Sequence, residues 1–295
     1  MLTLTMRSNP SFAQMADDAP QVETHADRTL PRTLPTSVGI VVTGDNHLSP
    51  ALHGFLPQRR AQRRKRLRAA FAAAVHYAIN HSARLFVLAG DLFGPPTPST
   101  QDRAFVAAAL TRLRLAGIYC VAIHGEHDLP RNGESHPGDP RGASPLATYA
   151  AIDALHLFPE TDVLRPRLFE LGGLKVAVAG LSRDPALHPG ADPLAGIAVD
   201  DDEQALSRAD VGLLVVHAPI DGLAPTEARD GAIRRGNLAA LPEKLRVVAA
   251  GHVHRYAHKR MGERHVIVCG ATERMGFDGD EGAAGFAWLE LDRQG

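Results

Sequence analysis

Short apolar runs alternate with longer segments rich in alanine and charged residues along most of the chain. Runs such as VGIVVTG (38–44) and RLFVLAG (84–90) are apolar almost throughout and end at a glycine, a pattern typical of strands buried on both faces. Both predicted strands lie within the first hundred residues. Further strands are predicted at 118–125, 174–180, 211–217, 245–251, 264–270 and 285–291.

Helices are predicted between the first three of these strands. Residues 57–82 and 100–116 contain no internal glycine or proline and are rich in alanine, leucine and arginine. Thr100 is the predicted N-cap of the second helix, and Gly117 its stop. A third helix is predicted at 146–157, after a Pro/Gly-rich loop.

The order of these elements predicts the fold class. The early β-α-β-α-β order favours parallel pairing, whereas the later strands have little helix between them and favour a second, partly antiparallel sheet. We therefore expect an α/β protein, a four-layer α/β/β/α sandwich of two mixed sheets. Residues 1–36 are polar and mixed, and are predicted to be a flexible N-terminal leader; residues 37–295 are predicted to form one domain.

Composition excludes some classes of function. The net charge of −1 excludes a general polyanion binder, so any nucleic-acid surface must be a local patch. No apolar stretch is long enough to span a bilayer, and the first residues lack a signal-peptide core, so we expect a cytoplasmic protein without a membrane partner. Cys120 and Cys269 lie in apolar runs and are interpreted as buried free thiols, with a disulfide as the alternative.

Carboxylates and imidazoles follow five of the predicted strands. One such residue at a strand end is usually a loop residue or a helix cap, but this set recurs strand after strand. Ligands bind beyond the carboxyl ends of strands in open α/β sheets, so these groups should converge. Mixed oxygen and imidazole ligands suit divalent metals, and this number of groups suits two ions. The residues are Asp45, His47, Asp91, Glu126, His127, Asp128, His217, His252 and His254.

These motifs resemble a known family. DNH (45–47), GD (90–91), GEHD (125–128), His217 and GHVH (251–254) are similar to the signature of calcineurin-like metallophosphoesterases. The stretches GDNHLSP, AGDLFGPPTPS, IYCVAIHGEHD, GHVHR and CGATERMGF most resemble SbcD-type DNA-repair exonucleases.

The resemblance implies a role for each residue. One metal ion would be held by Asp45, His47, Asp91 and His254, and the other by Asp91, Glu126, His217 and His252, so that Asp91 bridges. His127 would act as the general acid, with Asp128 orienting its ring. The implied cofactors are two divalent ions, with Mn²⁺ expected and iron, zinc or magnesium as alternatives.

Position 126 departs from the family pattern, which has asparagine there. Both side chains offer an oxygen to a metal, but glutamate cannot donate a hydrogen bond to a phosphate and adds a negative charge. Three interpretations stay open: weakened catalysis, a shifted metal or substrate preference, or a degenerate member that binds DNA without cutting it.

A basic segment follows the first motif. Seven cations occur within the ten residues 59–68. The segment is either a solvated helix face or a DNA-facing surface near the site. The candidate DNA contacts are Arg59, Arg60, Arg63, Arg64 and Arg66.

The expected partners follow from the resemblance. DNA is expected as a substrate, and a homodimer is an alternative to a monomer. SbcD-type nucleases continue into a capping domain and a segment that docks on an SMC-like ATPase, whereas this chain stops soon after GFAWLEL, so that ATPase is not expected. We expect a two-metal phosphodiester hydrolase acting on DNA as an exonuclease or endonuclease. The alternatives are a metallophosphoesterase for small phosphoesters or cyclic nucleotides, and a non-catalytic DNA-binding protein.

Overall fold

The fold is described from a computed structural model of the chain. The described residues are 3–8, 37–51, 56–129, 144–224, 231–274 and 283–293. The Pro/Gly-rich loop predicted at 130–145 lies outside them apart from its last two residues. No helix in the described part is long and apolar enough to cross a bilayer.

The first sheet joins the early strands of the chain to its last one. Its order is β1-β14-β2-β3-β4-β5. The four strands from β2 to β5 are parallel, while β14 is antiparallel to β2 and β1 is antiparallel to β14. The strands are β1 (Thr3–Ser8), β2 (Ser37–Thr43), β3 (Leu85–Ala89), β4 (Tyr119–Ile123), β5 (His156–Phe158) and β14 (Gly285–Asp292).

The second sheet also has a parallel centre, with an antiparallel strand at each edge. Its order is β12-β13-β11-β10-β8-β7. The edge strands β12 and β7 are the antiparallel ones. The strands are β7 (Arg167–Leu171), β8 (Leu174–Leu181), β10 (Val211–His217), β11 (Leu245–Gly251), β12 (Ala257–Met261) and β13 (Arg264–Val268). A separate two-stranded parallel sheet contains β6 (Val163–Leu164) and β9 (Ala198–Val199).

Five helices lie in the described residues. The first two are long because alanine, leucine and arginine favour helix and no glycine or proline interrupts them. The others are short connections. The helices are α1 (Pro57–Asn80), α2 (Thr100–Leu115), α3 (Pro145–Ala151), α4 (Ala205–Arg208) and α5 (Arg235–Ala240).

Three layers of apolar contacts produce the predicted four-layer sandwich. The inner faces of the two sheets pack together, with Val87 of the first sheet and Val215 of the second in the shared core. Phe71 of α1 packs with Phe86 on the outer face of the first sheet. Leu238 of α5 belongs to the layer outside the second sheet. The predicted fold class is therefore confirmed, and both cysteines are buried and free.

The region predicted to be a leader contains one described segment. Thr3–Ser8 forms β1, which pairs along its whole length with β14. Its alternating sequence TLTMRS suits a strand, and the pairing covers an edge that β14 would otherwise leave open. These six residues therefore belong to the sheet rather than lying apart from it. Residues 1–2 and 9–36 are outside the described residues, and the division of the chain into leader and domain stays a prediction.

Two local predictions need correction. The N-cap of α2 is Ser99, not Thr100, because the Ser99 hydroxyl accepts a hydrogen bond from the Asp102 backbone N–H at 3.1 Å. The helix predicted at 146–157 ends at Ala151, and its last residues instead form β5, which pairs with β4. Asp153, at φ 53°, lies in the turn between them.

Candidate metal centre

The candidate ligands lie together where the parallel strands of both sheets end. Asp45 and His47 follow β2, Asp91 follows β3, and Glu126 follows β4. The second sheet contributes its own three histidines from the ends of β10 and β11. All seven side chains fall into groups whose ligand atoms are within 4.8 Å of one another. These seven are Asp45, His47, Asp91, Glu126, His217, His252 and His254.

One group, which we call the first lobe, consists of Asp45, His47 and His254. His47 Nε2 lies 3.2 Å from His254 Nε2, and His254 Nε2 lies 3.7 Å from Asp45 Oδ1. Both Asp45 oxygens accept hydrogen bonds from the His252 backbone N–H, at 3.1 and 3.0 Å. Burial raises the pKa of the Asp45 carboxyl well above its usual value, so a cation beside it would stabilise the ionised form.

A second group, the second lobe, consists of Glu126, His217 and His252. Glu126 Oε2 lies 3.0 Å from His217 Nε2, and Glu126 Oε1 lies 2.8 Å from His252 Nδ1. The other ring nitrogen of His217, Nδ1, is 2.8 Å from the Ala89 carbonyl oxygen. A hydrogen bond donated from Nδ1 to that carbonyl leaves Nε2 facing the lobe, the arrangement usual for a metal-binding histidine.

Asp91 lies between the two lobes. Its Oδ2 is 3.8 Å from His47 Nε2 on one side and 3.4 Å from His217 Nε2 on the other. Its Oδ1 accepts a hydrogen bond from the His127 backbone N–H at 2.9 Å, which fixes the carboxylate plane. The position suits a carboxylate shared by two cations.

The backbone is strained at four of the candidate ligands. Asp45, His47, Asp91 and His252 have φ values of 49°, 44°, 52° and 82°, in the left-handed region that side chains other than glycine seldom adopt. Each such conformation costs on the order of 1 to 3 kcal/mol and clusters at functional sites. The strain turns these side chains out of the strand direction and towards one another.

Two glycines of the motifs make room for the ligands. A Cβ at Gly125 would lie 2.1 Å from Asp91 Oδ1, and a Cβ at Gly90 would lie 2.3 Å from His217 Nδ1. Gly90 also has φ 87°, which favours glycine on its own account. The glycines before the acids therefore allow close packing of the ligand side chains.

The charges of the second lobe balance one another. Burial raises the pKa of Glu126, but its contacts with His217 and His252 outweigh burial and hold that pKa below its usual value. Burial lowers the pKa of His217, but Asp91 and Glu126 outweigh it and hold that pKa well above the usual value. In the first lobe, burial lowers the pKa of His47 to about 4, so this ring is neutral. A cation bound in the second lobe would replace the proton of His217.

The polar atoms of the second lobe fit a metal ion. Glu126 Oε2 and His217 Nε2 are buried and close together, yet neither has a hydrogen-bond partner of good geometry among the described residues. Buried polar atoms without partners are rare and need an explanation. Carboxylate oxygens and imidazole nitrogens bind divalent metals at about 2.0 to 2.2 Å, which brings neighbouring ligand atoms to about 3 Å. The donor set of both lobes, oxygen and imidazole nitrogen, suits a borderline divalent cation.

The predicted contact between His127 and Asp128 is wrong. The Asp128 carboxylate is buried and accepts hydrogen bonds from the backbone N–H groups of Phe93 and Gly125, both at 3.0 Å, so it fixes the loop rather than the ring. His127 Nδ1 lies 3.0 Å from the Gly94 carbonyl oxygen instead. This carbonyl was missed because a backbone acceptor leaves no signal in the sequence.

His127 faces the cluster with its other ring nitrogen. Its Nε2 is 3.9 Å from Asp91 Oδ2, and its ring centroid is 5.0 Å from that of His47. The side chain is 44% exposed, so a substrate could reach it. His127 therefore lies at the exposed edge of the cluster, with Nε2 on the side of Asp91.

The predicted DNA-facing arginines lie on the first half of α1, which adjoins the first lobe. Arg66 Nη2 forms an ion pair with Glu273 Oε1 at 2.6 Å, and Arg63 Nη1 lies 3.9 Å from the same oxygen. The neighbouring Thr272 hydroxyl donates to Asn46 Oδ1 at 3.3 Å, beside Asp45. Sequence reasoning missed Glu273, although it lies in the stretch CGATERMGF. Three further candidates are on the same half of the helix, namely Arg59, Arg60 and Arg64.

The fold and the cluster together define a metallophosphoesterase domain. The chain belongs to the calcineurin-like phosphoesterase family, whose profile matches residues 38–256. The family resemblance predicted from the motifs is therefore confirmed, and the candidate metal-binding residues agree with a family that uses divalent metals.

Two curated relatives carry the same name. This chain is 35% identical over 95 residues to the DNA double-strand break repair protein Mre11 of Haloferax volcanii, a match that covers 32% of this chain and 20% of that protein. It is 27% identical over 213 residues to the Mre11 protein of Aeropyrum pernix, covering 70% of this chain and 48% of that one. The chain therefore spans at most about half the length of these relatives.

A solved structure has a similar fold. A dimetal phosphatase from Danio rerio superposes with a TM-score of 0.47 at 12% identity, covering 85% of this chain and 91% of that chain.

Proposed function

We propose that the protein is a two-metal phosphodiester hydrolase that acts on DNA. The observation that carries this proposal is the pair of lobes at the strand ends, each with two imidazoles and a carboxylate, on either side of Asp91. Two divalent cations in such a site polarise a phosphoryl oxygen and activate a nucleophile for in-line attack.

The residues of each lobe would hold one ion. Asp45, His47 and His254 would hold the first and Glu126, His217 and His252 the second, while Asp91 would be shared. The buried Asp45 and the Ala89-anchored His217 would fix the ligand positions before substrate arrives.

His127 would protonate the leaving oxygen. With Nδ1 bonded to the Gly94 carbonyl, Nε2 is the nitrogen that faces the site and would donate the proton. General acid catalysis of this kind contributes about 100-fold to 10,000-fold. The contribution should be largest for a poor leaving group such as the deoxyribose oxygen of DNA.

Two observations support DNA as the substrate class. The similar Mre11 proteins are named for DNA double-strand break repair. The basic half of α1 adjoins the first lobe through Glu273 and Thr272, where a phosphate backbone leaving the site would meet positive charge.

The test is a comparison of substrates with Mn²⁺ supplied. We expect hydrolysis of labelled DNA and of bis(p-nitrophenyl) phosphate, complete loss on chelation, and recovery when Mn²⁺ is added back. The Asp91→Asn variant, purified in the same way, should be inactive and controls for contaminating nuclease.

The other outcomes separate the alternatives. Turnover of the chromogenic ester without DNA cleavage would indicate a small phosphoester substrate. No turnover of either, with two ions bound per chain, would contradict the enzyme assignment.

A further inference from the structure

Glu126 is the only accessible carboxylate of the candidate centre. Its side chain is 37% exposed, whereas those of Asp45 and Asp91 are 0% and 2% exposed. Its two oxygens contact both histidines of the second lobe, His217 and His252. The charge of Glu126 therefore lies on the exposed part of the centre, where the side chains of His252 and His254 are also partly exposed.

Glu126 changes the net charge of the loaded centre. Asp45, Asp91 and Glu126 bring three negative charges, and two divalent cations would bring four positive ones, so one positive charge remains. A carboxamide at position 126 would leave two. The difference of one charge holds whatever other groups the ions bind.

This difference affects the two kinds of phosphoester unequally. Coulomb energy scales with the product of the charges, so removing one positive charge weakens the binding of a phosphomonoester dianion about twice as much as that of a phosphodiester monoanion. A neutral amide would also add a hydrogen-bond donor, but that donor would serve both ligands alike.

We infer that Glu126 is a specificity-determining residue that selects phosphodiesters against phosphomonoesters. The inference rests on the proposed function, because it concerns the ligands of the same metal centre. The inference also explains why glutamate could replace the family's asparagine at this position. Its negative charge would weaken the binding of dianionic products and of small phosphomonoesters.

The experiment measures binding, so that it does not depend on turnover. The probes are methyl phosphate, a dianion above its second pKa of about 6, and dimethyl phosphate, a monoanion. Their affinities for the Mn²⁺-loaded protein at a pH of about 8 would be measured by calorimetry, with the Mn²⁺ content of each sample determined in parallel. The variants are Glu126→Gln, which removes the charge at constant length, and Glu126→Asp, which keeps the charge.

We expect Glu126→Gln to raise the affinity for methyl phosphate relative to dimethyl phosphate by about 10-fold or more. Glu126→Asp should leave the ratio within about threefold of the natural protein.

An unchanged or lowered ratio in the Gln variant, at the same Mn²⁺ content as the natural protein, would overturn the inference. The ratio of kcat/KM for p-nitrophenyl phosphate over bis(p-nitrophenyl) phosphate should move in the same direction. A protein that failed to hydrolyse any ester would contradict the proposed function, while the binding ratios would still decide the role of Glu126.

Discussion

The two lobes of the metal centre differ in how the chain holds their carboxylates. Asp45 of the first lobe is buried, and the His252 backbone N–H fixes both of its oxygens. Glu126 of the second lobe is partly exposed and is positioned by the two histidines it contacts. The carboxylate of the first lobe is therefore positioned by the backbone, and that of the second lobe by side chains.

This difference affects how each lobe responds to substitution. A backbone-fixed carboxylate keeps its place when a neighbouring ligand is removed, because its hydrogen bonds do not involve that ligand's side chain. A carboxylate held only by imidazoles loses its position with them. We therefore expect the first lobe to tolerate the loss of a second-lobe ligand, and the second lobe to be the more sensitive of the two to changes in its own side chains.

The largest expected effect comes from removing one histidine from each lobe. His254→Ala and His252→Ala are matched, since both side chains are 32% exposed and neither fills the core. Each variant should lose one of two bound ions and at least about 100-fold in turnover, because both ions are needed. In His252→Ala, the backbone N–H at position 252 still holds Asp45, so the first lobe should keep its ion.

Metal content after dialysis and the thermal unfolding midpoint would measure both effects. The midpoint without metal should change little, which separates ligand loss from unfolding. Two empty lobes in His252→Ala would contradict the proposed difference between the lobes, and two bound ions in either variant would contradict the proposal that its histidine is a ligand.

The first-sheet half of the site could be predicted well from the sequence. Buried parallel strands give continuous apolar runs, and the glycine and acid that follow each run mark the strand's carboxyl end, as Gly90 and Asp91 do after β3. Because these apolar runs are continuous and the strands lie in the centre of the sheet, tertiary packing agrees with the local pattern.

The edges of both sheets could not be predicted in the same way. β7 has the burial pattern of a strand covered on one face, and β12 is mostly exposed, so neither is a continuous apolar run. Edge strands depend on a neighbour for their pairing, and the neighbour is distant in sequence for β1. The partners of Asp128 and His127 were hidden for a related reason, since Asp128 binds the backbone of Phe93 and His127 that of Gly94, both far away along the chain.

A smaller effect is expected when His127, the proposed proton donor, is replaced. His127 lies on the first-lobe side, with its ring against His47, and neither lobe includes its side chain. His127→Gln should therefore keep two ions and reduce DNA hydrolysis by about 100-fold. The reduction should be below about 10-fold for bis(p-nitrophenyl) phosphate, because p-nitrophenolate leaves without a proton.

Rates for the two substrates, measured at saturating Mn²⁺ on the same samples, would check this. Equal reductions in the rates for both substrates would contradict a proton-donating role and would indicate that His127 positions the substrate instead. Loss of an ion would show that the first lobe extends further than Asp45, His47 and His254.

The smallest expected effect concerns the basic half of α1, which adjoins the first lobe. Arg59 and Arg64 are exposed and form no ion pair within the described residues, unlike Arg66, which Glu273 holds. Arg59→Ala with Arg64→Ala should weaken duplex DNA binding a few-fold. The logarithm of the DNA-binding constant falls linearly with the logarithm of the salt concentration. For each phosphate that the variant no longer neutralises, the magnitude of this slope should fall by about 0.9.

The matched control is Arg112→Ala with Arg114→Ala, on the last turn of α2, which leads into the start of β4 and not into the strand ends that carry the site. Both pairs remove two positive charges, so a general charge effect would change DNA binding equally in the two variants. We expect a change in the salt slope only for the pair on α1, and no change in bis(p-nitrophenyl) phosphate hydrolysis for either, because that ester is too small to reach the helix. Equal slopes for the two double variants would contradict a role of Arg59 and Arg64 in DNA binding.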